Sequence, residues 1–211
     1  LLANAVAPSD RSAPAALPQR AAPAAGEQIS ADFLYYTIQQ TRPADSVITQ
    51  ESLSTIKLLR ERLPSVHPRS FFSMSGGVLG YGLAAAAGVP LAERDAAQPR
   101  KVLSIVGDGS ANYVIQALWT AAQHELPVLF IIVRNGAYNI LKSFAKQLDT
   151  PNVPGLDLPA IDFVSLAKGY GVEGERVSSP ALLERTLSRA MSIDSPYLIE
   201  VEIDPTVPSL L

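Results

Sequence analysis

The chain has 211 residues, a formal net charge of −3 and a sequence pI near 5.4, the size of one sizeable domain with no broad basic field for gripping nucleic acid. It has no cysteine and only two histidines, His67 and His124, which excludes disulfides, thiolate metal sites and a histidine-rich zinc site and suits a reducing cytoplasm. No apolar run reaches the roughly 18 residues of a membrane span, so neither nucleic acid nor membrane is an expected partner.

Residues 1–26 contain ten Ala and four Pro without an apolar period. Proline breaks the helix that alanine favours, so 1–28 reads as a semi-extended interdomain linker or a disordered terminus, with the packed domain over 29–211. The start, Leu1-Leu2-Ala3-Asn4, lacks an initiator Met and the charged region and apolar core of a signal peptide; it reads as the middle of a longer chain. Ser30 can cap a helix over 32–40 that stops before Pro43. A short strand over 46–49 precedes a helix over 52–63 with Ile56, Leu59 and Leu63 on one side. A loop runs through Pro68. Residues 77–88 then read as a helix of small residues that another backbone can approach closely.

The apolar runs 102–106 and 128–133 have the continuous hydrophobicity of parallel strands covered on both faces. A helix over about 113–124 separates them. Further helices are expected over 162–169 and 180–192, and strands over 172–177 and 197–203. In 180–192, Leu183, Leu187 and Ala190 share one face, with Glu184, Arg185 and Ser188 off it. The alternation predicts an α/β fold: an open, mostly parallel sheet with helices on both faces, built from right-handed βαβ units.

Two of the expected strands end in loops of small and polar residues, Gly107-Asp108-Gly109-Ser110 and Asn135-Gly136-Ala137-Tyr138-Asn139. Open α/β sheets bind ligands beyond the carboxyl ends of their strands. If the two strands are neighbours, Asp108 and Asn135 share one rim, and a carboxylate with an amide oxygen suits Mg2+ or Ca2+. Gly107 and Gly109 let a phosphate approach, and Ser110 lies near a helix start, where free N–H groups favour an anion. Gly-Asp-Gly by itself is a common turn. The second strand end, with Asn135 placed 27 residues after Asp108, is what gives it meaning.

This pattern resembles the signature of thiamine-diphosphate-dependent enzymes. The resemblance extends through Gly107-Asp108-Gly109-Ser110-Ala111-Asn112-Tyr113, Ala117-Leu118-Trp119-Thr120-Ala121-Ala122, Asn152-Val153-Pro154-Gly155-Leu156-Asp157 and Ala167-Lys168-Gly169-Tyr170-Gly171-Val172, which are similar to the benzoylformate decarboxylase family over roughly residues 30–205. It implies a diphosphate-binding C-terminal domain that holds thiamine diphosphate through Mg2+, with Asp108, Asn135 and the Ala137 carbonyl as metal ligands. The family often has Asn-Asn where this chain has Arg134-Asn135.

By the same resemblance, the Gly77 carbonyl faces the cofactor's aminopyrimidine and Leu79 forces its V shape; a small-residue helix start is the plainer reading. Ser54, in Gln50-Glu51-Ser52-Leu53-Ser54, contacts the diphosphate, against an ordinary helix cap at Ser52. Tyr138 and Asn139 contact the diphosphate, against a polar turn, and Phe144 lines a substrate pocket, against core packing. His124 reads as a helix C-terminal cap and His67 as a solvated loop residue.

The implied reaction is nonoxidative decarboxylation of a 2-oxo acid to an aldehyde. The glutamate that activates the cofactor is expected on an N-terminal pyrimidine-binding domain, usually from a neighbouring subunit of a homodimer or homotetramer. The alternatives are an acetolactate-synthase-like carboligase, which would add a second 2-oxo acid, and a Mg-nucleotide module without thiamine chemistry. Against the latter, neither the phosphate-loop nor the dinucleotide glycine pattern follows an early strand.

Overall fold

The computed structural model describes residues 18–24, 26–94, 96–158 and 161–209; most of the expected linker, residues 1–17 and 25, lies outside them. In chain order the elements are α1 (Ala31–Thr41), β1 (Val47–Glu51), a 3-10 turn (Leu53–Thr55), α2 (Ile56–Arg62), β2 (Phe71–Ser73), α3 (Gly82–Glu93) and β3 (Val102–Gly107). There follow α4 (Asp108–Ala111), α5 (Ala117–Gln123), β4 (Val128–Arg134), α6 (Asn139–Gln147), α7 (Phe163–Gly169), β5 (Glu173–Val177), α8 (Pro180–Met191) and β6 (Tyr197–Glu202). The strands form one sheet in the order β2-β1-β3-β4-β6-β5, and every pairing is parallel. The α/β expectation holds.

Strand β4 shows why its sequence is nearly all apolar. Leu129, Ile131 and Val133 enter a core with Phe33 and Leu34 of α1, Leu59 of α2, and Leu183 and Leu187 of α8. Phe130 and Ile132 enter a second core with Leu83 of α3, Leu118 of α5 and Phe163 of α7. A strand buried on both faces has no solvent side on which to place polar residues. Leu183, Leu187 and Ala190 of α8 are buried while Glu184, Arg185 and Ser188 are exposed, as the helical pattern predicts.

Caps set several boundaries. The Ser30 hydroxyl accepts from the Phe33 N–H at 3.1 Å and starts α1, while Asp162 accepts from Ser165 N–H at 3.0 Å and starts α7. A partly buried ion pair joins α1 to α2, with Arg62 donating to both Asp32 oxygens at 2.5 and 3.0 Å. Burial works to raise the Asp32 pKa, but the bonds and charge of Arg62, helped by Arg20, hold it below its usual value. Arg62 also donates to the Pro18 carbonyl at 2.9 Å, tying the preceding segment to the domain.

Three expectations need correction, and two elements are new. The helix expected over 77–88 begins only at Gly82 and continues through Pro90 to Glu93. Gly77 and Gly80 have φ of +75° and +102°, so the chain turns there instead of coiling. The helix expected over 113–124 is shorter: residues 113–116 form turns, and α5 starts only at Ala117 and ends at its C-cap His124. Ser52 does not cap the 52–63 helix: its hydroxyl bonds Thr55 Oγ1 at 2.8 Å, and a 3-10 turn precedes α2. Strand β2 and helix α6 were not expected at all: β2 has three residues and pairs at the sheet edge, and α6 follows directly on a loop.

The β5–β6 contact is tight enough to test by one methyl group. A Cβ added at Gly174 would lie 2.6 Å from the Leu198 carbonyl oxygen, which is backbone and cannot rotate away. Gly174→Ala is expected to destabilise the fold by about 1–3 kcal/mol, read as a lowered thermal midpoint. An unchanged midpoint would show that this edge can slide.

Candidate cofactor and metal site

The chain reverses its direction of travel across the sheet between β1 and β3: from β1 it steps outward to β2, then crosses back to build β3 and β4 on the other side. The carboxyl ends of β1, β3 and β4 therefore open a crevice at the topological switch point, where doubly wound sheets bind ligands. Gly107 pairs with Val133, so the residues that follow, Asp108 and Asn135, emerge at one rim.

Asp108 organises that rim. Its Oδ1 accepts from the Gly109 N–H at 2.9 Å, and its Oδ2 from the N–H groups of Asn135 at 3.1 Å and Gly136 at 2.7 Å. Burial raises the Asp108 pKa, although the three N–H bonds and the nearby Arg134 charge pull the other way. A carboxylate offers about four acceptor positions, so three amides leave one lone pair on Oδ1. Asn135 Oδ1 accepts from the Ala137 N–H at 3.1 Å and likewise keeps a lone pair.

Among the described residues no group of three His, Cys, Asp or Glu is placed to hold a metal. A cation at this rim would therefore rest on one carboxylate, an amide oxygen, backbone carbonyls and the ligand's own oxygens. That donor set fits Mg2+, which binds few protein groups and completes its shell with phosphate and water.

A cleft of about 220 Å3 is lined by Ser54, Thr55, Asn135, Asn139, Asp204 and Thr206. Asn139 is buried; its Nδ2 donates to the Pro205 carbonyl at 3.1 Å, while its Oδ1 has no hydrogen-bond partner. Gly109 lies under the Tyr138 ring, where an added Cβ would come within 2.5 Å of Cε1. Tyr138 is fixed from behind by its N–H, which donates to the Leu156 carbonyl at 2.8 Å. Ser110 is buried within α4. These residues fit a magnesium diphosphate.

The remaining candidates lie on the loop before α3, on α6 and on the loop before β2. Gly77 is exposed and Leu79 half-buried on the loop before α3. Phe144 is 47% exposed on α6, beside exposed Leu141 and Leu148, so core packing does not explain it. His67 is exposed in its loop and away from this rim.

The pattern of the sequence gives no prominence to the groups that support this rim. Beneath the Ser54 turn, the buried Tyr35 hydroxyl meets Thr55 Oγ1 at 2.6 Å and Ser52 Oγ at 3.3 Å. Gln50, fully buried, donates to Ser73 Oγ at 2.5 Å. Glu51, also fully buried, accepts from two amides of the loop before α3. Each contact joins residues far apart in the chain, which periodicity cannot register.

Comparison with known proteins agrees with this geometry. The family model for the C-terminal TPP binding domain of thiamine pyrophosphate enzymes matches residues 55–201. The chain is 43% identical over 198 residues to benzoylformate decarboxylase of Pseudomonas aeruginosa, covering 93% of this chain and 37% of that protein. It is 28% identical over 183 residues to the acetolactate synthase isozyme 2 large subunit of Escherichia coli, covering 85% of this chain and 32% of the relative. The solved structure of the thiamine diphosphate-dependent 4-hydroxybenzoylformate decarboxylase of Rhodococcus jostii RHA1 superposes with a TM-score of 0.86 at 40% identity, covering 98% of this chain and 39% of that one. The chain thus spans under two fifths of the length of these relatives. A family match over most of the domain, on a sheet whose crevice carries the expected oxygen donors, places the chain in the thiamine pyrophosphate enzyme family as its C-terminal TPP-binding domain.

Proposed function

We propose that this domain, residues 29–211, anchors thiamine diphosphate through Mg2+ in a 2-oxo acid decarboxylase of the benzoylformate type, which releases CO2 and an aldehyde. The observation that carries the reading is the pairing of Asp108 with the Asn135–Gly136 backbone at the ends of adjacent parallel strands, beside a cleft lined by Ser54 and Thr55. The similarity to two benzoylformate-type decarboxylases supports the substrate class.

In this reading Asp108, Asn135 and the Ala137 carbonyl hold the cation. Ser54, Ser110, Tyr138 and Asn139 line the diphosphate, with Gly107 bringing backbone rather than a side chain to the rim and Gly109 making room for the Tyr138 ring. The Gly77 carbonyl and Leu79 meet the pyrimidine half, and Phe144 stands at the substrate side. The bound cofactor supplies the electron sink for loss of CO2. This domain's part is to fix and neutralise the diphosphate so that the reactive ring is held in one place.

An N-terminal pyrimidine-binding domain, from a neighbouring subunit of a homodimer or homotetramer, completes the site. Exposed Val78, Leu141 and Phe144 around the crevice support a partner surface there, since an apolar rim of this kind is normally covered. No helix among the described residues is long and apolar enough to cross a membrane, and the absence of cysteine fits a cytoplasmic enzyme.

Calorimetric titration of the complete enzyme with thiamine diphosphate and with ATP, each with Mg2+, tests the assignment. Saturable binding of thiamine diphosphate is expected and none of ATP; the reverse preference would replace it by the nucleotide reading. The acetolactate synthase relative motivates one further assay: acetolactate formed from pyruvate would mark a carboligase.

A further inference from the structure

Glu51 ends β1 and is fully buried, in a strand whose other residues are also buried. No arginine or lysine pairs with it among the ion pairs of the described residues. Both of its oxygens instead face backbone: Oε1 accepts from the Gly80 N–H at 2.6 Å and Oε2 from the Gly82 N–H at 2.7 Å. A buried carboxylate without a cation is costly unless such donors satisfy it, and these come from one short loop and the first residue of α3.

The surroundings leave that carboxyl little freedom. A Cβ on Gly82 would lie 2.9 Å from Glu51 Cβ, 3.1 Å from Oε2 and 2.8 Å from Val106 Cγ2, so glycine is what allows the helix start to sit against the side chain. The Gly82 carbonyl accepts from Thr49 Oγ1 at 3.1 Å, which fixes the same turn from β1 a second time. Within that loop Gly77 and Val78 are exposed. The segment carrying Gly77 and Leu79 is thus held at its C-terminal end by Glu51 through two amides and by Thr49 through the Gly82 carbonyl, and Glu51 ends the strand leading into the Ser54 turn.

We infer that Glu51 is a positioning residue: its carboxyl, by gripping the amides of Gly80 and Gly82, sets the height of Leu79 and the Gly77 carbonyl against the pyrimidine half of the cofactor while leaving the diphosphate half alone. The inference deepens the cofactor reading above and rests on it. It divides recognition of one molecule between two supports, with Asp108 governing the diphosphate end and Glu51 the pyrimidine end. Neither pairing is local in sequence, since 31 residues separate Glu51 from Gly82.

The test compares two probes on the complete enzyme and its Glu51→Gln variant: thiamine diphosphate and inorganic diphosphate, each with Mg2+, by calorimetry. Glutamine keeps the size but turns one acceptor into a donor facing an N–H. The expected result is an affinity for thiamine diphosphate about 10-fold or more weaker, with inorganic diphosphate held within about 2-fold. Equal weakening of both probes would mean a general structural role and overturn the inference, as would unchanged binding of both. If the wild-type enzyme itself fails to bind thiamine diphosphate, the cofactor reading falls and this inference with it.

Should the glutamine variant not fold, amide hydrogen exchange on the wild-type enzyme decides. Slow exchange at Gly80 and Gly82, extending to 76–79 when thiamine diphosphate is added but not with inorganic diphosphate, supports the positioning role. Exchange at Gly80 and Gly82 as fast as in exposed loops overturns it.

Discussion

Asp108→Ala is expected to lower the affinity of the complete enzyme for thiamine diphosphate with Mg2+ by more than about 100-fold, since even residues that only support a metal ligand typically cost 10–100-fold when removed. Two losses combine. The cation loses its one charged protein ligand, and the amides of Gly109, Asn135 and Gly136 lose the acceptor that sets the β4 loop. The apoprotein should be less affected, by about 1–3 kcal/mol for the unpaired amides at most, because burial already penalises this carboxyl. Calorimetry and thermal denaturation without cofactor separate the two effects.

Asn135→Ala supplies the contrast. Its side-chain oxygen accepts only the Ala137 N–H, so the loop should survive its loss while cation binding weakens. An Asp108→Ala enzyme that binds thiamine diphosphate as tightly as the wild type would remove the metal from this rim altogether.

The sheet and the Asp108–Asn135 pairing were legible in the sequence for the same reason. An apolar run ending in small and polar residues marks a buried parallel strand whose tip is exposed to ligand, and two such runs in succession place both tips on one side. What periodicity measures is local, and the misses are the places where a distant contact overrides it. The start of α3 is one: residues 77–88 are rich in helix formers, yet the helix waits for Gly82, where the Glu51 carboxyl receives the first amide. Strand β2 is another, because three residues pair only through register with Ile48, Thr49 and Gln50.

Helix α6 is a different kind of miss. Ile140, Leu141, Phe144, Ala145 and Leu148 recur at helical spacing, but polar Tyr138-Asn139 reads as loop and hides the start. Its exposed Leu141 and Phe144 then look like core candidates until the neighbouring surface is known. Residues that contact another domain carry the hydrophobic signature of a core, and one chain's sequence gives no means of telling the two apart.

That unfinished surface underlies the second large expectation: residues 29–211 alone should release no aldehyde from benzoylformate above the rate of free thiamine diphosphate. In the proposed reading the bound cofactor would need an acid beside its pyrimidine, and a positioned acid or base contributes about 100- to 10,000-fold. The glutamate nearest the pyrimidine loop, Glu51, has both oxygens turned to backbone amides and none toward the crevice. Glu200, the other fully buried glutamate, lies between Arg134 at 3.2 Å and Arg176 at 3.1 Å. Both carboxyls are engaged by protein groups, and in the proposed reading the acid comes from the N-terminal domain. Aldehyde release is followed by coupled reduction with a nicotinamide cofactor, first for the domain alone and then after adding a separately expressed N-terminal domain. Activity that appears only in the mixture supports the division of labour. Steady turnover by the domain alone would place the acid within this chain and require Glu51 to leave its amides.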